Sequence, residues 1–89
     1  MLFTLGQIVA TPGVLQTLKE TDTNALALLA RHVRGDWGDV CTEDQRANRY
    51  ALRHGTRLLS AYNLPNGERV WIITEADRSA TTMLLPSEY

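Results

Sequence analysis

A short polar segment near the end of the chain holds several side chains that could take part in chemistry. Within the stretch WIITEADRSATTMLLP, two apolar runs enclose Glu75, Asp77 and Arg78. A carboxylate can move a proton and a guanidinium can stabilise a developing phosphoryl charge, so this combination suits cleavage of a phosphodiester. The same charges also suit recognition of a partner beside the helix layer.

Turn chemistry offers another interpretation of this segment. Asp77 and Ser79 are residue types whose side chains bond nearby backbone amides and close tight turns, which would leave Arg78 in solvent. The sequence therefore leaves two alternatives open. The segment is either the closure of a turn between two strands or a recognition surface made of Glu75, Asp77 and Arg78.

A catalytic use of this segment needs a proton carrier from elsewhere in the chain. Of the two histidines, His54 is the better candidate, because it lies near a helix end on the side expected to face the sheet. The catalytic alternative is a ribonuclease that uses Arg57, Glu75, Arg78 and His54. In it, Arg78 would stabilise phosphoryl charge while Glu75 or His54 transfers the proton.

No pattern in the sequence specifies a metal or a cofactor. There is no H-x-x-x-H spacing, no cysteine pair, no D-x-D-x-D-G run and no glycine-rich phosphate loop. The lone Cys41 can form neither an internal disulfide nor a structural zinc site, so we expect a reducing, cytoplasmic location and no cofactor. The apolar N-terminus meets Gln7 and then Pro12, which predicts a strand rather than a signal peptide or a membrane span.

Size and charge narrow the function classes. The 89 residues predict a single domain, 1–89, with room for one sheet layer and one helix layer. The formal net charge is -1, from nine basic and ten acidic residues, whereas proteins that depend on phosphate contacts are usually basic. A protein partner is therefore favoured over nucleic acid, and no membrane association is expected.

Three short helices are expected in the first two thirds of the chain. Thr11 caps the first, which starts at Pro12, and Asp22 or Thr23 caps the second. The third begins at Thr42 and stops at Gly55. The apolar faces expected to cover the sheet are Leu26, Leu29, Ala30 and Val33 in the second helix, and Ala47, Tyr50, Ala51 and His54 in the third.

The last third of the chain has the pattern of three strands. RLLSAYNL and ERVWIITEA surround Asn66-Gly67, a strong hairpin signal, and ATTMLLP ends at a proline. We predict an α+β fold with an N-terminal strand, three short helices and a C-terminal antiparallel three-stranded meander, forming one sheet packed on a helix layer. The sheet face with Val70 and Ile72 is expected to be exposed unless the N-terminal strand or a partner covers it, and an exposed apolar face would allow a homodimer.

The third helix carries a stripe of arginines. Arg46, Arg49 and Arg53 recur at three- and four-residue steps, so they lie along one side of the helix. Arginine binds carboxylates and phosphates bidentately, which suits an acidic protein surface. The alternative is a solvated helix face on which these arginines pair with Glu43 and Asp44.

The glycine-rich loop GDWGD, before the third helix, is a further candidate binding segment. It places Trp37 between Asp36 and Asp39. Carboxylates in such a loop more often cap backbone amides or face solvent than bind a metal, so no metal site is predicted here.

Several segments of the chain resemble a family of small bacterial proteins encoded on plasmids and integrated elements. They are LGQIVATPG, GDWGD, RLLSAY and the long string WIITEADRSATTMLLPSEY. Some members of that family carry the label of a type I restriction methylase subunit. The chain has neither the doubly wound domain nor the glycine-rich loop that a methyltransferase needs. The resemblance implies a mobile-element setting, in which small proteins act in defence, counter-defence or maintenance.

The order of the predicted elements is also similar to that of the small ribonuclease toxins related to RelE, barnase and the colicin nucleases. That similarity covers the layout of helices before strands and no motif, and layout alone is a weak argument for function. Such toxins tend to be basic, whereas this chain is near neutral.

The leading hypothesis is a small non-enzymatic accessory protein of a mobile genetic element. It would bind another protein, as an inhibitor or modulator of a defence or restriction system. The alternative hypothesis is the ribonuclease described above. The expected binding residues come from the loop, the arginine stripe and the polar turn: Asp36, Trp37, Asp39, Arg46, Arg49, Arg53, Glu75, Asp77 and Arg78.

Overall fold

A four-stranded mixed sheet organises the fold. The computed structural model describes residues 1–89. The strands are β1 (Gln7–Ala10), β2 (Leu58–Asn63), β3 (Arg69–Thr74) and β4 (Ala80–Leu84), in the spatial order β1-β4-β3-β2. The helices are α1 (Pro12–Glu20), α2 (Ala25–Val33) and α3 (Thr42–His54), followed at the end of the chain by a single 3₁₀ turn (Pro86–Glu88).

The α+β class, with helices packed on one sheet, is confirmed. The sheet differs in detail from the prediction, because it has four strands and β1 runs parallel to β4, with Gln7 opposite Ala80. A parallel pair needs a long crossover, and everything from α1 to β3 lies between these two strands. Gly6 turns the chain just before β1 at φ 64°, and a Cβ there would overlap the backbone of Arg78 and Ser79.

The helix boundaries follow the capping chemistry. The predicted cap of α1 is confirmed, since the Thr11 hydroxyl accepts a hydrogen bond from the Val14 amide at 3.3 Å. The predicted cap of α2 was wrong: Asn24 fills that position, accepting from the Leu26 amide at 2.9 Å. Gly55 ends α3 in the left-handed conformation, as its sequence position indicated.

The hydrophobic core lies between the sheet and helices α1 and α2. It consists of nine residues that are at least nine-tenths buried: Val14, Leu18, Leu28, Leu29, Tyr62, Leu64, Val70, Ile72 and Met83. Val70 and Ile72 are completely buried, so the prediction that their face of the sheet is open was wrong. Leu26, expected in the core face of α2, is instead 71% exposed, because Leu28 and Leu29 supply that face.

The opposite face of the sheet is the more open one. It carries Leu59, Trp71 and Ile73, and the 3₁₀ turn at the end of the chain packs over β3. The ring of Tyr89 meets Trp71 edge to face at 5.7 Å. The more open apolar surface of the sheet therefore lies on the Trp71 side, opposite the side predicted from the sequence, and the C-terminal residues cover part of it.

Helix α3 packs beside the outer edge of β2, where one of its side chains makes the two backbone hydrogen bonds that a neighbouring strand would make. The Asn48 amide donates to the Leu59 carbonyl at 2.7 Å, and the Leu59 amide donates to the Asn48 side-chain oxygen at 3.0 Å. Asn48 and Ala51 are the buried residues of α3. Of the face predicted to cover the sheet, Ala51 is confirmed as buried, whereas Ala47, Tyr50 and His54 are exposed and that part of the prediction was wrong.

Candidate functional site

The polar turn between β3 and β4 is closed by its own side chains. The Ser79 amide donates to the Asp77 carboxylate at 2.9 Å, and hydrogen bonding from the Ser79 side chain, together with this amide, lowers the pKa of Asp77. Arg78 sits in the left-handed region at φ 61°, and its amide donates to the Glu75 carbonyl at 2.9 Å. The turn alternative raised by the sequence therefore explains Asp77 and Ser79.

The guanidinium of Arg78 joins this turn to helix α3. It donates to the carbonyl oxygens of Thr56 at 2.6 Å, Glu75 at 3.0 Å and Ala51 at 3.0 Å. The Ala51 carbonyl belongs to the last turn of α3, where a positive charge also complements the negative end of the helix dipole. The sequence suggested a solvated or ligand-binding arginine, whereas this side chain braces the backbone.

The side chains of the ribonuclease alternative do not hydrogen-bond to one another. His54 stacks on Tyr50, with ring centroids 4.2 Å apart, and Arg57 donates to the Tyr89 hydroxyl at 2.9 Å. Glu75 is exposed and makes no side-chain hydrogen bond, and Arg78 is held by carbonyls. No two of these four side chains bond to each other, so the arrangement lacks a paired acid and base.

The loop GDWGD is tied to its surroundings by its aspartates. Asp36 forms an ion pair with Arg31 at 2.7 Å, and this contact lowers the pKa of Asp36. The Tyr62 hydroxyl donates to the Asp36 carbonyl at 2.6 Å. Asp39 accepts from the Asn63 side chain at 2.7 Å. Both carboxylates thus have intramolecular partners.

The same loop covers the outer edge of β2 beyond Asn48. The Ala61 amide donates to the Trp37 carbonyl at 3.0 Å, and the Asp39 amide donates to the Ala61 carbonyl at 2.7 Å. Gly38 lies between them at φ 72°, and a Cβ there would overlap the Ala61 carbonyl oxygen. The glycines and the tryptophan of this segment therefore have a structural role in closing the sheet.

A buried chain of hydrogen bonds centred on His32 was not foreseen from the sequence. His32 is 0% exposed, and its Nδ1 lies 2.5 Å from the Ser60 hydroxyl while its Nε2 lies 2.9 Å from the Thr74 hydroxyl. The Thr74 hydroxyl lies 2.7 Å from that of Thr81, which donates to the Leu5 carbonyl at 2.7 Å. The chain connects α2, three strands and the N-terminal segment.

The direction of every bond in this chain follows from its end. A carbonyl oxygen only accepts, so the Thr81 hydroxyl must donate its single proton to the Leu5 carbonyl. The Thr74 hydroxyl must therefore be the donor in its bond with Thr81. Thr74 can then only accept from His32, which makes the ring an Nε2–H tautomer with a bare Nδ1 that accepts from Ser60. The arrangement fits a neutral imidazole, and burial lowers the pKa of His32 to about 4.

This histidine is placed for structure rather than for reaction. A histidine that accepts a serine hydroxyl proton has the form of a base and nucleophile pair, but His32 and Ser60 are both 0% exposed. The rings of Phe3 and Trp37 pack on the imidazole with centroids 5.2 and 5.8 Å away. The sequence does hold one signal for this network, since Ser60, like Thr74, occupies a core-facing position of a strand.

The outer face of α3 carries arginine side chains that have no intramolecular partner. Arg46, Arg49 and Arg53 are exposed, and none of them has a side-chain hydrogen bond or an ion pair, although pairing with Glu43 and Asp44 was the simpler expectation. Next to them, Tyr50 and His54 form the stacked pair described above. A concave surface of about 510 Å³ is lined by Arg49, Tyr50, Leu52, Arg53 and His54.

A second, smaller concavity lies on the open face of the sheet. It has a volume of about 210 Å³ and is lined by Arg57, Leu59, Trp71, Ile73 and Tyr89. Four of these side chains are apolar or aromatic, and the guanidinium of Arg57 lies 5.9 Å from the Tyr89 ring. It is continuous with the apolar sheet surface rather than with the arginine face of α3.

Comparison with known proteins adds no relative. No family model matches the chain, and searches of curated proteins and of solved structures return no significant match. The structure assembles no group of three or more metal-ligating side chains of the His, Cys, Asp or Glu type. None of its helices combines the length and the apolar character that crossing a membrane requires.

Proposed function

We propose that this chain is a non-enzymatic binding protein that docks an acidic protein surface on the outer face of α3. The observation that carries the proposal is that Arg46, Arg49 and Arg53 lack any intramolecular acceptor. Among the other candidate charges, Asp36 bonds Arg31, Asp39 and Asp77 accept hydrogen bonds, and Arg78 bonds backbone carbonyls, whereas Glu75 has no side-chain partner. The arginine face is thus the largest group of candidate binding charges that the fold leaves without a partner.

The chemistry of this face suits carboxylates. A guanidinium presents its donors in a planar fork that matches a carboxylate, and its flat surface stacks on aromatic rings. Tyr50 and His54 provide such rings beside the arginines. Arginine and tyrosine are also the residue types that most often supply binding energy at protein interfaces. With a chain charge of -1, the face is a local basic patch and not part of a generally basic protein.

The biological setting that we propose for this binding is a mobile genetic element. In that setting the protein would be an accessory factor that inhibits or modulates a defence or restriction complex. The support is the family resemblance of its sequence segments together with the lack of any assembled catalytic group. The loop GDWGD and the polar turn, which we included among the binding residues, would then act mainly by holding α3 in place.

Charge reversal on this face tests the proposal. Tagged wild-type protein is used to capture partners from a plasmid-bearing bacterial lysate treated with nuclease, and the variants Arg49→Glu and Arg53→Glu are compared with Arg34→Glu. Arg34 is exposed and lies at the end of α2, so it is a control with the same change in charge.

The expected result is a captured acidic protein that Arg34→Glu retains and that the two α3 variants lose by about tenfold or more, the effect of removing one interface hot spot. Arg49→Lys should retain part of the binding, because it keeps the charge and loses the bidentate fork. Equal capture by all variants, or binding that disappears with nuclease treatment, would overturn the proposal.

A further inference from the structure

The backbone groups at the two edges of the sheet differ in whether they have hydrogen-bond partners. At the β2 edge, Asn48 occupies the polar groups of Leu59, and the preceding loop occupies those of Ala61. At the β1 edge nothing equivalent is present. The fold thus closes one edge of the sheet and leaves the other available.

The direction of the free groups on β1 follows from its pairing with β4. The Gln7 amide donates to the Ser79 carbonyl at 2.9 Å and the Thr11 amide to the Met83 carbonyl at 3.1 Å, so alternate residues point toward β4. The residues between them, Ile8 and Ala10, therefore direct their amides and carbonyls outward. No protein group bonds them on that side.

The side chains of this edge do nothing to prevent pairing. The segment from Gln7 to Thr11 contains no charged residue and no proline. Ile8 is 49% exposed and Val9 is 44% exposed, on opposite faces of the sheet. Edge strands of monomeric proteins are usually protected by lysine, proline, a bulge or a very short length, and of these β1 has only its length of four residues.

We propose that β1 pairs antiparallel with β1 of a second copy of this chain about a twofold axis, which extends the sheet across the dimer. In the central register, Ile8 lies opposite Ala10 of the partner subunit, and each such pair exchanges both of its backbone hydrogen bonds. Val9 then falls on the axis, opposite itself, where its methyl groups meet across the strands.

A second copy fits this edge because the edge complements itself. Its uncharged side chains bring no like charges together, and the twofold axis places apolar Val9 against apolar Val9. Twofold dimers with self-complementary surfaces are the commonest protein assembly. The interface lies at the opposite end of the sheet from α3, so it is independent of the acidic partner proposed above.

Disulfide trapping tests the register directly. Cys41 is exposed, so the experiment starts from Cys41→Ser, to which Val9→Cys or the control Leu26→Cys is added. Residues opposite each other in a pair without hydrogen bonds have Cα atoms roughly 4.5 Å apart, within the range that a disulfide spans. We expect Val9→Cys to form a disulfide-linked dimer under mild oxidation at micromolar protein, and Leu26→Cys, which is also exposed, to form no disulfide-linked dimer. Equal trapping at the two positions, or none at Val9→Cys, would overturn the proposal.

Sedimentation and amide exchange give a second readout that needs no cysteine variant. Wild-type protein at about 100 µM should sediment at twice the monomer mass, and the Ile8 and Ala10 amides should exchange more slowly as the concentration rises, since pairing hides them. Ile8→Lys should sediment as a monomer while Leu26→Lys stays dimeric. A wild-type protein that is monomeric at this concentration, or a dimer that Ile8→Lys leaves intact, contradicts the β1 pairing.

Discussion

Acidification should destabilise this protein mainly through one side chain. His32 is neutral and fully buried in the fold, where burial lowers its pKa from 6.5 to about 4. In the unfolded chain the imidazole takes up a proton near pH 6.5, so below that pH the unfolded state binds more protons than the folded state. The contribution of His32 to stability is therefore complete above pH 6.5 and is lost as the pH falls toward 4.

The size of this effect follows from the difference between the two pKa values. The free energy of unfolding changes by about 1.4 kcal/mol per pH unit for each proton, so an interval of 2.5 units corresponds to about 3 kcal/mol. Small domains have only about 5–15 kcal/mol of stability, so this is a large share. The hydrogen-bond directions point the same way, because a proton on Nδ1 would face a Ser60 hydroxyl that already donates to it.

Denaturant unfolding at a series of pH values from 4 to 8 measures the effect. The variant His32→Gln removes the titrating group, and His54→Gln is the matched control, since His54 is exposed. The free energy of unfolding of the wild type minus that of His32→Gln should fall by about 3 kcal/mol as the pH is lowered from 6.5 to 4. The pH dependence of His54→Gln should follow that of the wild type. The difference also removes the contributions of Asp36 and Asp77, whose pKa values are lowered and which lose stability at lower pH.

Nitrogen NMR of the wild-type ring provides a check that needs no variant. The neutral ring should be the Nε2–H tautomer, and its titration should lie near pH 4. A ring that titrates near 6.5, the Nδ1–H tautomer, or a flat difference curve between pH 6.5 and 4 would refute the reasoning.

Three further outcomes can be measured by denaturant unfolding. Asn48→Ala should lower the free energy of unfolding by about 2–3 kcal/mol, because both backbone groups of Leu59 lose their partner at a buried edge. Gly38→Ala should destabilise far more than Gly67→Ala, since both glycines have positive φ but only the former has backbone in the way of a Cβ; equal losses would contradict this. Arg78→Met should cost about 1–3 kcal/mol by releasing carbonyls that the guanidinium holds, and an unchanged midpoint would argue against the bracing role.

Local sequence signals predicted the elements well. Thr11 before Pro12, Gly55 after α3 and the Asn66-Gly67 turn each act within a few residues of themselves. Capping and turn chemistry depend on local backbone geometry, and so the three helices and the hairpin were found. The cap of α2 was misplaced because Asp22, Thr23 and Asn24 are all good capping residues, and packing decides among them.

The pairing of distant strands and the choice of the buried faces could not be predicted from local sequence signals. Nothing near β1 indicates that its neighbour is a strand more than seventy positions away, so the parallel pairing was missed. Either face of the apolar strand β3 fits a core, and the choice of Val70 over Trp71 depends on where the helices lie. In α3 one of the two buried residues is the polar Asn48, which a search for an apolar pattern passes over, while Ala51 fits such a pattern.

The candidate site shows a similar division. Residue types identified the arginine stripe correctly as exposed, because charged residues repeated on one helix side rarely have enough partners to be buried. They did not reveal that Arg78 serves backbone carbonyls, since its role depends on the helix end that the fold brings beside it. A buried His32 was also outside the reach of composition, because burial of a polar ring requires partners from strands far away in sequence.

The pairing of β1 with β4 has a consequence for biosynthesis. Gln7 leaves the ribosome 73 positions before Ala80, the residue it faces in the sheet. At about 5–20 residues per second, β1 waits several seconds or longer without its only neighbour in the sheet. Helices α1 to α3 rely on local contacts that form in much less time, so β1 docking is the late event of folding.

During that interval the apolar segment around Ile8 and Val9 has both of its edges free. Nascent chains stalled before β4 should therefore expose an unpaired apolar strand, which chaperones can bind and which can aggregate with other chains. Pairing with the completed β4 satisfies one of these edges, and the translation rate over the segment that encodes β2 to β4 becomes a determinant of yield.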